Sequence, residues 1–222
     1  MHWAGVNQID GVLLTHGDSL HIGGVQALLG DYSPNRLIDN PAVDRSTIHL
    51  RLHEIFSMRR LFPLDLRKTR SFAISSDAKA RILFPPPDFV ASSADDQALV
   101  VQVTVSGTPI LFMSDSGYST ERFLLESSSG LRSDVLIKGQ HHSGKSGSEI
   151  FLDAVRPQLV IATSRDFPQQ ERISDEWVER LRARGTKLFR QDETGAIEIR
   201  VGEHDWQARS YLTGEIFRSD NR

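Results

Sequence analysis

Short apolar runs alternate with helical periodicities along the chain. Ile9–Thr15 is apolar and stops at His16-Gly17-Asp18, as a buried strand entering a loop does. Ile22, Val25, Ala27, Leu28 and Leu29 then recur at helical spacing up to Gly30, which predicts a helix over Ile22–Leu29. Arg36–Ile38 reads as a brief strand before a Pro/Asp turn at Asn40–Asp44. Thr47–Met58 reads as a helix with Ile48, Leu52, Ile55 and Phe56 on one side. Strand-like sequence follows at Ser71–Ile74, Ala80–Phe84, Ala98–Val105 and Ile110–Met113, the last two flanking a hairpin turn at Ser106-Gly107-Thr108-Pro109.

Beyond Asp115 the alternation resumes. Helices are predicted at Thr120–Glu126, Glu149–Val155 and Asp175–Arg184. Strands are predicted at Asp134–Lys138, Leu159–Thr163, Lys187–Arg190 and Ala196–Val201, and the tail from Asp205 to Phe217 has room for one more. The Pro85–Asp96 stretch is loop-like and too short to separate domains. Helices covering stacked sheets, in one domain over 1–222, is the architecture this order implies.

Composition narrows the chemistry. With 222 residues, 39% hydrophobic and 25% charged, the chain is an ordinary globular one. It has no cysteine, so any metal must be held by imidazole and carboxylate. A net charge of −3 leaves no global basic footprint for nucleic acid, although a bound divalent ion supplies local positive charge. No apolar run approaches the roughly 18–20 residues of a membrane span, and the N-terminus does not read as a secretory signal.

Three strand ends carry the chemistry. His16-Gly17-Asp18-Ser19-Leu20-His21-Ile22-Gly23-Gly24 lies where a strand gives way to a helix, so His16, Asp18 and His21 are expected to converge as a metal-ligand set. The competing reading is a capped turn with incidental histidines. Asp115 closes the strand Ile110–Met113, and Gly139-Gln140-His141-His142-Ser143-Gly144-Lys145-Ser146 follows the strand ending at Lys138. His49 and His53, four apart on a predicted helix, have no third ligand nearby in sequence and read as surface or half-buried side chains.

The order His-x-Asp-x-x-His-x-Gly-Gly, then a strand ending in Asp, then His-His, resembles the metallo-β-lactamase superfamily. Within it the chain is most similar to the C-terminal domain of ComEC competence (DNA-uptake) proteins. Leu83-Phe84-Pro85-Pro86, Asp95–Val101 and Arg190–Ile197 add to the likeness, which runs from about residue 9 to 201. The resemblance implies an α/β fold, a four-layer αββα sandwich lacking the usual N-terminal strands. It implies one or two divalent ions, Mn²⁺ or Zn²⁺. His16, Asp18 and one of His141 and His142 would hold the first, Asp115 would bridge, and His21 would serve the second, with Asp18 and Asp115 as the catalytic carboxylates. Asp18 in place of the more usual histidine hardens the donor set and favours Mn²⁺.

The implied activity is hydrolysis of DNA phosphodiesters in a competence-related role, with Ser143, Lys145 and Ser148 contacting substrate. The implied context is a membrane channel or a preceding segment, on the outer face of the bacterial cytoplasmic membrane when the domain is part of a longer protein. Leu20 stands where the family carries an Asp ligand, and Arg165–Glu171 lacks the late histidine, so an impaired second metal site is expected, without a substitute ligand assigned to Asp166 or Glu171. Two alternatives remain open: a degenerate, non-catalytic domain that binds DNA or a protein partner, and a P-loop nucleotide binder on Gly139-x-x-x-x-Gly144-Lys145-Ser146.

Overall fold

The computed structural model describes residues 6–42, 46–91, 93–163 and 172–219. Among these residues the strands form three sheets. Seven strands lie in the order β3 (Ser71–Ala73), β4 (Ala78–Phe84), β5 (Val100–Val105), β6 (Thr108–Ser114), β7 (Val135–Lys138), β8 (Leu159–Ala162) and β9 (Lys187–Arg190). Pairing is antiparallel through β6 and parallel from β6 to β9. A parallel pair, β1 (Gly11–Leu13) with β2 (Arg36–Ile38), forms a second sheet. The tail, expected to give one strand, gives β11 (Trp206–Ser210) and β12 (Ile216–Arg218), which join β10 (Ile197–Val201) in an antiparallel third sheet.

The two faces of the large sheet bury alternate residues of the same strands. Leu111, Met113, Leu136, Val160 and Ala162 pack against Leu124, Phe151, Leu152, Val155, Trp177 and Leu181. Those partners sit on helices α4 (Tyr118–Ser127), α5 (Glu149–Val155) and α6 (Asp175–Ala183). Ile110, Val135, Leu159 and Ile161 face the opposite way, onto Trp206 and Ala208 of the third sheet. Ile38 joins Ala80, Ile82 and Val101 on that same side. Over the outside of β1–β2, α2 (Val25–Asp31) and α3 (Thr47–Met58) lay Val25, Leu29, Leu52 and Phe56. Helix, sheet, sheet, helix is the four-layer order expected. Phe151, Leu152 and Val155 are fully buried, each worth about 1.5–3 kcal/mol.

Local sequence accounts for the departures. The helix predicted over Ile22–Leu29 is two pieces, α1 (Ser19–Ile22) and α2, because Gly23-Gly24 interrupts it. At Gly23 a β-carbon would stand 2.6 Å from the Ser19 carbonyl. Ser106 (φ 45°) and Gly107 (φ 86°) form the two-residue turn between β5 and β6, a turn that requires positive φ at both positions. It lets β6 begin at Thr108 instead of Ile110. A short helix not expected from the sequence, α7 (Gln191–Thr194), follows β9 directly. The region around Asp166 and Glu171 lies outside the described residues.

Candidate metal centre

Strand ends from two sheets meet at one place. His16 lies three residues beyond β1, and the intervening Thr15 carbonyl accepts the Leu99 N–H at 2.8 Å, which docks this end of the small sheet beside the start of β5. Asp115 follows β6, where Ser114 adopts a left-handed backbone (φ 51°). That conformation is uncommon for a residue with a side chain and is typical of constrained sites. It brings the Ser114 hydroxyl 3.1 Å from Thr15 Oγ1 and 3.3 Å from His16 Nδ1.

The His16 ring is thereby fixed at Nδ1, with Thr15 Oγ1 also 3.0 Å away. Its other nitrogen, Nε2, is buried, has no hydrogen-bond partner among the described residues, and faces Asp115 Oδ2 at 3.8 Å. His21, from α1, brings its Nε2 within 2.7 Å of the same oxygen. Two imidazoles and a carboxylate therefore converge, their ligand atoms all within 4.8 Å of one another. Burial, and then the charge of His21, pushes the His16 pKa down against the pull of Asp115, Asp95 and Asp18, so the ring is neutral near pH 7. Burial alone would raise the Asp115 carboxyl. The His21 hydrogen bond and the charges of His21, His16 and Lys138 outweigh it and hold the group below its ordinary value.

Asp18 lies beside this trio in sequence, between His16 and His21. It lies outside the groups of described residues whose ligand atoms approach within 4.8 Å. Its carbonyl accepts the N–H groups of His21 and Ile22 at 3.0 Å and so starts α1, while its charge acts on His16 from a distance. His21 and His16 both address Asp115, the carboxylate expected to bridge two ions.

His141 and His142 form a second group with Asp95. His142 Nδ1 is 2.8 Å from Asp95 Oδ2, which also accepts the His142 N–H at 2.9 Å. His141 is buried and oriented by Ser143 Oγ, 2.7 Å from Nδ1. Its Nε2 has no hydrogen-bond partner among the described residues and sits 3.4 Å from Asp96 Oδ1. Burial and the neighbouring His142 lower the His141 pKa, opposed by Asp95 and Asp96. Asp95 exerts its charge on His16, His141 and Lys138 alike, so both groups lie in one electrostatic field. Asp95 and Asp96 escaped the sequence reading because they end a proline-rich loop. The signals were the likeness over Asp95–Val101 and their place just before a strand whose neighbour carries Asp115.

Two glycines make room. A β-carbon on Gly117 would lie 2.8 Å from the His141 ring, and one on Gly139 would overlap Asp115 Oδ1. Gly139→Ala is expected to displace the Asp115 carboxylate and weaken divalent-metal binding by roughly 10- to 100-fold, the range for losing an orienting contact. Equilibrium dialysis against Zn²⁺ or Mn²⁺ checks it, and unchanged affinity would refute it.

Behind the site lies a buried ion pair that the sequence did not announce. Lys138, 1% exposed, donates to the Ser116 carbonyl and stands 4.0 Å from Glu121 Oε1. Burial pushes the Lys138 pKa down while Glu121, Asp115 and Asp95 oppose it. Glu121, itself 1% exposed, accepts the Gly147 N–H at 2.5 Å and the Ser148 N–H at 2.8 Å. The Ser148 hydroxyl caps α5 by accepting the Phe151 N–H, and Lys145 is exposed on the rim. Because α5 starts only at Glu149, after a turn closed by Gly144 N–H to His141 C=O, the Gly-Lys-Ser run does not open a helix as a P-loop does.

No family model matches the chain. It is 28% identical over 200 residues to competence protein ComA of Neisseria gonorrhoeae, covering 90% of the chain and 26% of that protein. It is 22% identical over 204 residues to ComE operon protein 3 of Bacillus subtilis, covering 88% and 25%. The chain therefore spans about a quarter of the length of these curated relatives. Among solved structures, Igni18, a metallo hydrolase from Ignicoccus hospitalis, superposes with a TM-score of 0.55 at 14% identity, over 97% of this chain and 81% of that one. The metallo-β-lactamase fold protein YhfI of Bacillus subtilis superposes with a TM-score of 0.51 at 12% identity, over 98% and 81%. Among the described residues no helix is long and apolar enough to cross a membrane.

Proposed function

From a chain that has the metallo-β-lactamase fold and resembles ComEC-like competence proteins, we propose a divalent-metal-dependent phosphodiesterase that acts on DNA. The observation that carries it is the buried His16 Nε2, without a hydrogen-bond partner among the described residues, facing a carboxylate that His21 already holds. A buried polar nitrogen left so costs free energy unless something binds there. A donor set of two imidazoles and one carboxylate suits a divalent ion, and Asp95, His141 and His142 suit a second. Such an ion supplies Lewis-acid polarisation of a phosphoryl oxygen and a nucleophilic water at neutral pH.

The chain's own groups divide the remaining work. Ser114 and Thr15 hold His16 by Nδ1 and leave Nε2 to face the site. Asp115, kept ionised, offsets cationic charge and orients the His21 ring by accepting a hydrogen bond from it. Lys145 supplies positive charge at the rim for a phosphate. A cleft of about 280 Å³ bears Arg67, which pairs with Asp88 at 3.3 Å, and Arg70, together with Pro85–Pro87 and Gln97 of the segment that carries Asp95, and the Arg70 guanidinium suits a nucleic-acid backbone. The competence-protein likeness favours DNA among phosphodiesters and a place alongside a membrane channel.

A second reading, a domain that binds DNA without cutting it, draws on Leu20 in the position of a ligand and on Asp18 lying outside both donor groups. Degradation of end-labelled single-stranded DNA separates the two. Wild type with Mn²⁺ is expected to shorten the strand, and His16→Ala or chelation to stop it. Gel-shift binding with no shortening in any divalent ion would favour the second reading.

A further inference from the structure

The helix α3 carries His49 and His53 one turn apart on one face, and both meet a carboxylate that the sequence hides ten residues earlier. Asp39 follows β2 directly and is 4% exposed, as is His49. His49 Nε2 lies 3.0 Å from Asp39 Oδ1 and 3.1 Å from Oδ2, and His53 Nε2 lies 3.1 Å from Oδ2. The two Nε2 atoms are 3.2 Å apart. Helix geometry explains the pairing, since residues four apart are surface neighbours and Leu52 and Phe56 anchor the same side in the core.

Two imidazole nitrogens aimed at one carboxylate and at each other leave too few favourable positions for protons. If both carry a proton at Nε2, the two N–H groups oppose one another. A cation at the focus satisfies both lone pairs and the carboxylate together. The donors are two nitrogens and one oxygen with no sulfur, the set that suits zinc and its first-row neighbours. His49 and Asp39 are buried, whereas the His53 side chain is 49% exposed, so the site opens to solvent on one side. We propose that Asp39, His49 and His53 bind a divalent transition-metal ion, separate from the centre at Asp115, with water completing its coordination.

The placement gives that ion a structural consequence. Asn40, next to Asp39, donates to the Thr15 carbonyl at 2.6 Å and to the Gln97 carbonyl at 2.7 Å. Thr15 adjoins His16, and Gln97 follows Asp95-Asp96. An ion on Asp39 therefore fixes the end of β2 and the inner face of α3 against the backbone that supports the first centre.

Metal content after dialysis against Zn²⁺ tests this with folded protein, comparing wild type, His53→Gln and Asp115→Asn. His53 is half exposed, so its replacement spares the core, and circular dichroism verifies the fold. The expected result is one equivalent fewer in His53→Gln than in wild type, with the cobalt(II)-loaded variant lacking the matching part of the wild-type visible absorption. Loss of an equivalent in His53→Gln but none in Asp115→Asn upholds this site while refuting the proposed function. Equal zinc in wild type and His53→Gln overturns it and leaves a hydrogen-bonded Asp–His–His cluster.

Discussion

Asp115→Asn will lower divalent-metal affinity by more than the roughly 10- to 100-fold that losing an outer-shell contact costs, while the protein stays folded. The amide has nearly the shape of the carboxylate but lacks its charge, and it presents one oxygen where there were two. His21 Nε2 at 2.7 Å and His16 Nε2 at 3.8 Å both address Asp115 Oδ2, so no other described carboxylate replaces it in that trio. The folded state has reason to tolerate the change. Asp115 is held ionised against the tendency of burial, and a neutral amide removes that desolvation cost. Isothermal titration with Mn²⁺ and Zn²⁺ measures the loss, and affinity within a few-fold of wild type would refute the assignment.

Glu121→Ala carries the largest expected effect on stability, a loss of about 3–5 kcal/mol, as for breaking a buried ion pair from one side. Lys138 would be left 1% exposed without its nearest carboxylate, its remaining bond going to the Ser116 carbonyl. Replacing both partners by apolar residues often restores stability in buried pairs. Here the double variant Lys138→Met/Glu121→Leu is expected to remain destabilised. Glu121 also accepts the Gly147 and Ser148 N–H groups, and orphaning a buried donor costs about 1–3 kcal/mol. Urea unfolding of the single and double variants decides it. A single-variant change below about 1 kcal/mol, small against the typical cost of breaking such a pair, would show that the pair contributes little.

The legible parts of this molecule are those whose signal is local. The His16–His21 motif, Asp115 and His141-His142 are short runs at strand ends, and Leu159–Ala162 reads as a buried strand because all four residues are apolar and buried. Which ligands meet was not legible, because it depends on where α1 begins. Asp18 starts that helix with its carbonyl, and His21 turns toward Asp115. Asp95 and Asp96 sit at the end of a loop with no periodicity, so the segment was legible as part of the family likeness but neither carboxylate was legible as a ligand. Asp39 was missed for a related reason. It reaches His49 across a turn, and the i, i+4 histidine pair alone reads as surface. Lys138 closes an apolar strand as a charged residue, and only its burial beside Glu121 reveals an ion pair in place of a solvated end.

The most direct test of the metal centre is anomalous scattering from a crystal equilibrated with excess Mn²⁺. The expected result is a peak coordinated by His16 Nε2, His21 Nε2 and Asp115. Well-ordered His16, His21 and Asp115 side chains with no peak between them would contradict it.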